Sequence, residues 1–146
     1  MRAAGIPAHR RLILRVRPEA ASHAPCDDSS VVPTILIVDD HEEFRRTARA
    51  LLEADGFEVV GEAADGESAI VEAMRLRPQL VLLDIQLPDL DGFRVAARLA
   101  EAGDPPVVVL TSSRGASSYR RRLAESPFAF IPKSDLSGEA LAAIVT

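Results

Sequence analysis

From Thr34 onward, short runs of apolar residues alternate with longer amphipathic segments. The runs are rich in Val, Ile, Leu or Phe and bounded by turn residues, which is typical of buried β-strands. They predict five strands, over residues 35–38, 57–63, 79–83, 106–110 and 128–131. Between the strands, apolar residues recur at a helical spacing. This spacing predicts five helices, over residues 41–54, 65–77, 91–100, 116–125 and from Ser137 onward.

The same spacing predicts which side of each helix is buried. Apolar residues three or four positions apart lie on one face of a helix. The predicted buried residues are Phe44, Ala48, Leu51 and Leu52 in the first helix, Ile70, Ala73 and Met74 in the second, Phe93, Ala96, Ala97 and Ala100 in the third, and Ala140, Leu141 and Ile144 in the last. The fourth helix is polar and has only a weak pattern, and Ser137 is placed to cap the last one.

Five strand–helix repeats with almost uniformly apolar strands predict a parallel sheet that is covered by helices on both faces. Right-handed crossovers place the carboxyl ends of all the strands along one edge. Binding sites in such α/β sheets lie at that edge, beside the point where the strand order switches. The residues that follow the strands are therefore the first place to look for chemistry.

Polar residues follow four of the five predicted strands: Asp39 and Asp40, Asp84, Thr111 and Lys133. Each aspartate alone could cap a helix or solvate a loop, but three carboxylates at one edge repel one another unless a cation is present. Oxygen ligands in an open, hydrated site favour Mg²⁺. Thr111 adds a hydroxyl donor, and Lys133 adds a compact ammonium that can pair with a carboxylate or a phosphoryl oxygen. The adjacent His41 and Ser112 are expected to face solvent.

The basic residues draw attention to the same lysine. Of the 17 basic side chains, 16 are arginine and only Lys133 is lysine. A coding bias accounts for the arginines. The one remaining lysine is either a chance survivor or a residue that arginine cannot replace.

Length and composition exclude several classes of protein. A chain of 146 residues that is 47% hydrophobic and 27% charged can form one domain with its own core, and it is not an acidic disordered tail. No apolar run approaches the eighteen residues of a membrane-spanning helix. The single cysteine, Cys26, cannot form an internal disulfide, and no Cys/His spacing resembles a zinc site.

Residues 1–33 differ from the rest of the chain. They carry five arginines against three acidic residues, a charge of +2, whereas residues 34–146 carry −7. Four prolines and the lack of an amphipathic period indicate a basic, disordered N-terminal extension ahead of one domain at residues 34–146. Two alternatives are an arm that contacts nucleic acid or anionic lipid, and translation that starts at Val31 or Val32.

Four motifs resemble the receiver domain of bacterial response regulators. They are Ile-Leu-Ile-Val-Asp39-Asp40, Leu-Val-Leu-Leu-Asp84-Ile-Gln-Leu-Pro88-Asp-Leu-Asp-Gly92, Val-Val-Val-Leu-Thr111-Ser and Phe-Ile-Pro-Lys133-Ser. The resemblance covers about residues 34–145, and the motifs fall in order at the strand ends. It implies a flavodoxin-like, doubly wound α/β fold whose five-stranded parallel sheet has the order 2-1-3-4-5. The segment after Lys133 is most similar to the subgroup that often precedes a helix-turn-helix output domain.

The resemblance also implies a role for each carboxylate. Asp84 would accept a phosphoryl group from a phosphohistidine of a sensor histidine kinase, giving an aspartyl phosphate. Mg²⁺ would be held by Asp40 and Asp84, by Asp39 largely through water, and by the backbone carbonyl of Gln86. Because neither Gln86 nor Ser113 is acidic, we expect an aspartyl phosphate of intermediate to long lifetime.

The remaining roles concern the phosphorylated state. Thr111 and Lys133 would bind the new phosphoryl oxygens and draw the ends of the fourth and fifth strands inward. Phe130 stands at the family's aromatic switch position, with simple packing in the fifth strand as the alternative. Pro132 fits the family's cis-peptide site. The switched surface would be the fourth helix, fifth strand and last helix, which the family also uses to form homodimers.

We predict a cytoplasmic, Mg²⁺-dependent phosphoacceptor switch in two-component phosphorelay signalling, with no enzyme activity beyond its own phosphorylation and dephosphorylation. The expected partners are a sensor histidine kinase and either a downstream protein or an output domain beyond Thr146. The acidic domain is not expected to bind nucleic acid or a membrane. The basic run Arg120 to Arg122 is either a solvated helix face or a docking patch.

Three alternatives remain at this stage. The chain could be a receiver-like interaction module that works without phosphorylation, or a fragment of a transcriptional response regulator without its DNA-binding domain. It could also be a Mg²⁺-dependent hydrolase of the aspartyl-phosphate type. That class usually has its two aspartates two residues apart after the first strand, whereas Asp39 and Asp40 are adjacent.

Overall fold

The computed structural model describes residues 32–145, so the predicted N-terminal extension lies almost entirely outside the described residues. The strands are β1 (Thr34–Val38), β2 (Glu58–Ala63), β3 (Leu80–Asp84), β4 (Val107–Ser112) and β5 (Ala129–Pro132). The helices are α1 (Glu42–Ala54), α2 (Gly66–Leu76), α3 (Gly92–Ala100), α4 (Arg120–Ala124) and α5 (Gly138–Val145). Two single 3₁₀ turns, Ala116–Tyr119 and Lys133–Asp135, precede α4 and follow β5.

The five strands form one sheet in the order β2-β1-β3-β4-β5, and every neighbouring pair is parallel. This confirms the flavodoxin-like, doubly wound α/β prediction. The order places β1 and β3 side by side, and the chain switches direction along the sheet at this pair. In the β3–β4 register, Asp84 lies opposite Thr111.

The sheet separates two layers of core. Alternate strand residues such as Ile35, Ile37 and Leu82 pack on one face against residues of α1 and α5. The intervening residues, such as Leu36 and Leu83, pack on the other face against α2, α3 and the α4 region. We call the first layer the α1/α5 face. The near-continuous apolar strands are explained by this burial on both sides.

Helix α1 has the buried side that the sequence predicts. Ala48 and Leu52 are buried, and Phe44 and Leu51 are partly buried against the same core. The helix ends at Ala54, and Gly56 follows with φ of 97°, a left-handed conformation that glycine adopts at little cost. In α5, the hydroxyl of Ser137 accepts a hydrogen bond from the Ala140 N–H at 2.9 Å, which confirms the predicted cap.

Two predicted helix faces are partly wrong. In α2, Ile70 and Ala73 are buried together with Ala69, but Met74 is 71% exposed. Each residue turns the helix by about 100°, so Met74 is carried past the buried side. In α3 the buried residues are Val95, Ala96 and Leu99, whereas Ala97 and Ala100 are exposed. Burying Val and Leu removes more apolar area from water than burying Ala, and this sets the rotation of the helix.

The predicted fourth helix is shorter than expected. Residues 116–119 form a 3₁₀ turn, and only Arg120–Ala124 is α-helical. Tyr119 and Leu123 are the members of this segment that pack against the core, so few apolar contacts stabilise a longer helix. Residues 32–145 contain no cis peptide bond, which includes the bond before Pro132. None of the helices in this range is long and apolar enough to cross a membrane.

Candidate functional site

The polar residues at the strand ends continue the α1/α5 face of the sheet. Side chains two positions apart on a strand point to the same side. Asp39, Asp84 and Thr111 each follow a core residue of that face by two positions, namely Ile37, Leu82 and Val109. Two strand boundaries are corrected here, because Asp84 and Thr111 lie within β3 and β4 rather than beyond them. The site is therefore the open end of one core layer.

Lys133 joins two of the predicted carboxylates. Its Nζ lies 2.6 Å from Oδ2 of Asp39 and 3.4 Å from Oδ2 of Asp84. The lysine side chain is only 14% exposed, and Asp39 is completely buried. One ammonium thus lies between two buried carboxylates at the ends of the adjacent strands β1 and β3.

Asp84 is buried in a strongly acidic environment. It is 3% exposed, and its Oδ1 accepts a hydrogen bond from the backbone N–H of Gln86 at 3.1 Å. Burial, followed by the charge of Asp39, raises the pKa of Asp84 to about 6, although the Gln86 N–H and Lys133 act in the opposite direction. Ionising Asp84 in the folded protein therefore costs more free energy than ionising an exposed aspartate.

Thr111 brings an unused hydroxyl to the same edge. The residue is completely buried, and its Oγ1 has no hydrogen-bond partner among the described residues. A buried polar atom without a partner is unfavourable, so such an atom points to a ligand or an ordered water. Its register position opposite Asp84 makes it a neighbour of the carboxylate.

His41 is closer to the site than the sequence suggested. Its side chain is 69% exposed, as expected, but Nδ1 lies 3.1 Å from Oδ1 of both Asp39 and Asp40. Its backbone N–H also donates to Oδ1 of Asp39 at 2.8 Å. The position of His41 directly after the Asp-Asp pair is the sequence signal that could have predicted these contacts.

The prediction that Ser112 faces solvent is wrong. Its side chain is buried, and its hydroxyl accepts a hydrogen bond from the N–H of Arg114 at 3.0 Å.

The carboxylates are close enough to surround one cation. Ligand atoms of Asp39, Asp40, His41 and Asp84 all lie within 4.8 Å of one another. Hard oxygen donors at this density suit a divalent ion with an incomplete protein shell. Asp40 is exposed at the rim, which leaves one side of the cluster open to water. The side chain of Gln86 is also exposed, and its backbone N–H is bonded to Asp84.

Phe130 is not among the residues that converge on the acidic cluster. It is half-buried on β5 and packs on the sheet face opposite the site, with Leu110 as its register partner. Its neighbour Ile131 pairs with Thr111 and packs on the α1/α5 face. The two faces are therefore linked through the backbone of β5.

The loop after β3 is fixed at both ends. Gly92 donates its N–H to the carbonyl of Ile85 at 2.8 Å, and a Cβ at Gly92 would lie 2.5 Å from the carbonyl oxygen of Asp84, so no side chain fits.

Arg122 on α4 forms an ion pair with Asp91 at 2.7 Å, and its guanidinium lies 4.2 Å from the ring centre of Phe93. Arg122 therefore makes intramolecular contacts, although all three arginines of this run are exposed. Between this loop and α4 lies a groove of about 380 Å³.

The chain is similar in sequence to proteins that are already known. Residues 35–145 match the response regulator receiver domain family. A Pseudomonas aeruginosa relative is 41% identical over 110 residues, which is 75% of this chain and 53% of the relative. The transcriptional regulatory protein PdtaR of Mycobacterium tuberculosis is 36% identical over 85 residues, covering 58% of this chain and 42% of PdtaR. The chain thus spans about half the length of these curated relatives.

A solved structure shows the same architecture. The response regulator domain of Thermotoga maritima CheB superimposes with a TM-score of 0.61 and 26% identity. The match covers 78% of this chain and 90% of that domain. The family match, over residues 35–145, includes Asp39, Asp84, Thr111 and Lys133.

Proposed function

This chain belongs to the response regulator receiver domain family, and on that premise we propose that it is a phosphoacceptor switch in two-component signalling. Asp84 accepts a phosphoryl group from a phosphohistidine of a sensor histidine kinase. The observation that carries the proposal is the shared contact of Lys133 with the buried carboxylates of Asp39 and Asp84. This arrangement supports the proposal because the carboxylate proposed as the nucleophile and the ammonium proposed to bind the phosphoryl group are in contact.

In the transfer step, a carboxylate oxygen of Asp84 attacks the phosphorus atom. A P–O bond forms, the P–N bond breaks, and its electron pair stays on the imidazole nitrogen of the kinase. The nucleophile has to be ionised. A pKa of about 6 leaves most of Asp84 ionised at pH 7.5.

The residues fit a bound Mg²⁺. Asp39, Asp40 and Asp84 would hold the ion together with the backbone carbonyl of Gln86. The fit rests on the three carboxylates, whose oxygens lie within 4.8 Å of one another. Among the described residues, the ammonium of Lys133 contacts two of these carboxylates, Asp39 and Asp84. When bound, Mg²⁺ supplies positive charge to the oxygens of the transferred phosphoryl group.

The aspartyl phosphate is read out through Lys133 and Thr111. The ammonium and the unpartnered hydroxyl donate to phosphoryl oxygens. Because Thr111 pairs with Ile131, a shift of β4 moves β5 and with it Phe130 on the opposite face. The surface formed by α4, β5 and α5 is the proposed switched face, where a downstream partner or a second copy of the chain binds. Phosphorylation shifts an existing equilibrium between inactive and active states.

We also place the protein in the cytoplasm, with a histidine kinase as its phosphodonor. The chain itself is a signalling domain, and an output is supplied by another protein or by a further domain, such as the DNA-binding part of a transcriptional regulator. Because residues 34–146 carry a net charge of −7, direct nucleic-acid binding is not part of the proposal.

The test is phosphorylation by a small phosphodonor with Mg²⁺, followed by intact mass measurement. We expect wild-type protein to gain one base-labile phosphoryl group. Asp84→Asn should gain none, whereas Asp89→Asn, a change in an exposed aspartate of the same loop, should be labelled like wild type. Labelling that persists in Asp84→Asn would overturn the proposal.

A further inference from the structure

An aromatic ring lies against the only lysine of the chain. The centre of the Phe44 ring is 4.5 Å from Nζ of Lys133. This is within the distance at which the negative face of a ring attracts an ammonium. Lys133 therefore has three neighbours around its charge: the ring of Phe44, Asp39 at 2.6 Å and Asp84 at 3.4 Å.

The position of the ring is itself fixed. Phe44 is half-buried in the first turn of α1 and packs against the α1/α5 core. The next residue, Arg45, donates from Nη1 to the backbone carbonyl of Asp39 at 2.7 Å and from Nε to Glu62 at 2.8 Å. The start of α1 is thus tied to the end of β1 and to β2, so the ring is held beside the strand that carries Asp39.

A phenyl ring does two things for an ammonium that an aliphatic side chain does not do together. It attracts the charge without offering a hydrogen-bond acceptor, and it keeps water away from that side. The N–H bonds of Lys133 are then directed to the remaining side, where the carboxylates lie. Leucine would fill a similar space but would present no negative face.

We propose that Phe44 is a positioning residue for Lys133: its ring holds the ammonium toward Asp39 and Asp84, where the phosphoryl oxygens arrive. The contact between ring and ammonium is independent of phosphorylation. Its consequence for phosphoryl binding rests on the proposed function of the site.

The contact can be observed directly because Lys133 is the only lysine. Protein labelled with ¹³C-lysine gives a single set of side-chain signals. Protons above a ring face are shifted upfield, so we expect upfield ε-methylene protons in wild type. Phe44→Leu should move them toward the ordinary lysine position, and Phe44→Tyr should restore the upfield shift. An unchanged shift in folded Phe44→Leu protein would overturn the proposal.

The consequence is measured by two binding constants. Beryllofluoride, a phosphoryl analogue, binds together with Mg²⁺ at the acceptor carboxylate. We expect Phe44→Leu to weaken beryllofluoride binding roughly three- to tenfold, the range of a partly buried ring–ammonium contact. Mg²⁺ affinity alone should stay within about twofold because the ion is held by carboxylates. Phe44→Tyr should recover the wild-type affinity for beryllofluoride.

Phe57→Leu is the matched control, since Phe57 belongs to the same core layer and is buried directly before β2. It should lower stability without changing the Lys133 signal or beryllofluoride affinity. Equal losses in both Phe→Leu variants would mean a general packing effect and would overturn the positioning role, as would unchanged beryllofluoride affinity in Phe44→Leu. If wild type fails to bind beryllofluoride although the ring-dependent Lys133 shift is present, the proposed function fails and the contact stands.

Discussion

At the scale of single residues, the buried carboxylate of Asp84 dominates the electrostatics. Its pKa rises from the ordinary value of 3.8 to about 6, because of burial and then of Asp39. The folded state thus binds a proton to this group more tightly than the unfolded state does. Stability from Asp84 is fully present below pH 3.8, falls as pH rises toward 6 and is lost above that. In the metal-free protein at neutral pH, ionised Asp84 is destabilising.

Asp84→Asn should therefore stabilise the metal-free protein at pH 7.5. The amide keeps the shape of the side chain but removes the charge, and Lys133 keeps its contact with Asp39. We expect the free energy of unfolding to rise by about 1–3 kcal/mol at pH 7.5 and to change little below pH 4. Urea titrations in the presence of a chelator measure this at both pH values.

Asp89, in the loop after β3, provides a control of opposite sign. The backbone N–H groups of Gly66 and Glu67, at the start of α2, donate hydrogen bonds to the Asp89 carboxylate and lower its pKa. Stability from Asp89 is present above the unfolded pKa and is lost as pH falls through the lower folded value. Asp89→Asn should therefore destabilise slightly at pH 7.5. A stability loss in Asp84→Asn at that pH would contradict the account of Asp84.

Lys133→Arg tests whether the one lysine has a function or is a chance survivor. The ammonium fits between Asp39, Asp84 and the Phe44 ring, and a planar guanidinium is larger and directs its N–H groups differently. We expect beryllofluoride binding to weaken at least about tenfold, a loss of about 1.4 kcal/mol. The control is Arg46→Lys on the exposed side of α1, which should change nothing. If Lys133→Arg binds beryllofluoride as tightly as wild type, the single lysine is a chance survivor without a function of its own.

At the scale of elements, α1 is attached to the edge strand β2 by charge. Nε of Arg45 and of Arg49 each lie 2.8 Å from a different oxygen of Glu62. Burial by itself would raise the pKa of Glu62, but the hydrogen bonds from Arg49 and Arg45 outweigh it and hold the pKa below its usual range. This contribution is present above the unfolded pKa and is lost as pH falls through the lower folded value.

Glu62→Gln should destabilise the protein by about 1 kcal/mol at pH 7, a value reduced by solvent screening. The difference from wild type should shrink toward pH 3, where the carboxylate becomes protonated. Denaturant titration at both pH values measures it. Glu53→Gln, which changes an exposed partner of the same Arg49, should stay within about 0.5 kcal/mol. If both variants lower the free energy of unfolding equally, Glu62 contributes no more to stability than an exposed ion-pair partner does.

Helix α4 is joined to the start of α3 by one cation in addition to its apolar contacts. Only five residues long, it contributes Arg122 to Asp91 and to the Phe93 ring. Arg122→Gln should open residues 116–124 locally, with faster hydrogen exchange there and little change in global stability. Arg121→Gln, which changes an exposed residue of the same helix, is the control. Unchanged exchange in Arg122→Gln would show that the apolar contacts alone hold the segment.

The success of sequence prediction at this scale follows the strength of the pattern. The strands were predicted within about one or two residues because strands buried on both faces are apolar throughout. The buried side of α1 was correct because four of its residues agree on one direction. In α3 the many alanines made the direction ambiguous, and the sheet selected Val95 and Leu99 instead. The prediction for Met74 was wrong for a different reason, since a helix pattern does not tell where the buried side ends.

At the scale of the whole molecule, the strand order creates the site. Each of four strands contributes one group, so Asp39, Asp84, Thr111 and Lys133 come together although they are far apart in the sequence. Strand-end positions in a parallel sheet were enough to predict this set. The contacts of His41 with Asp39 and of Phe44 with Lys133 were not predicted, because they depend on the orientation of the start of α1 relative to the edge of the sheet.

Because the carboxylates of Asp39, Asp40 and Asp84 come together only in the folded chain, Mg²⁺ should stabilise the entire fold. An ion that binds the native state alone raises the free energy of unfolding by about 1.4 kcal/mol at ten times its dissociation constant. We expect the melting temperature of wild type to rise with Mg²⁺ concentration. The rise should be much smaller in Asp40→Asn, which loses a ligand, and unchanged in Asp89→Asn, whose carboxylate caps α2 outside the cluster. A melting temperature that does not depend on Mg²⁺ in wild type would mean that Lys133 already neutralises the site and that the three carboxylates hold no divalent ion.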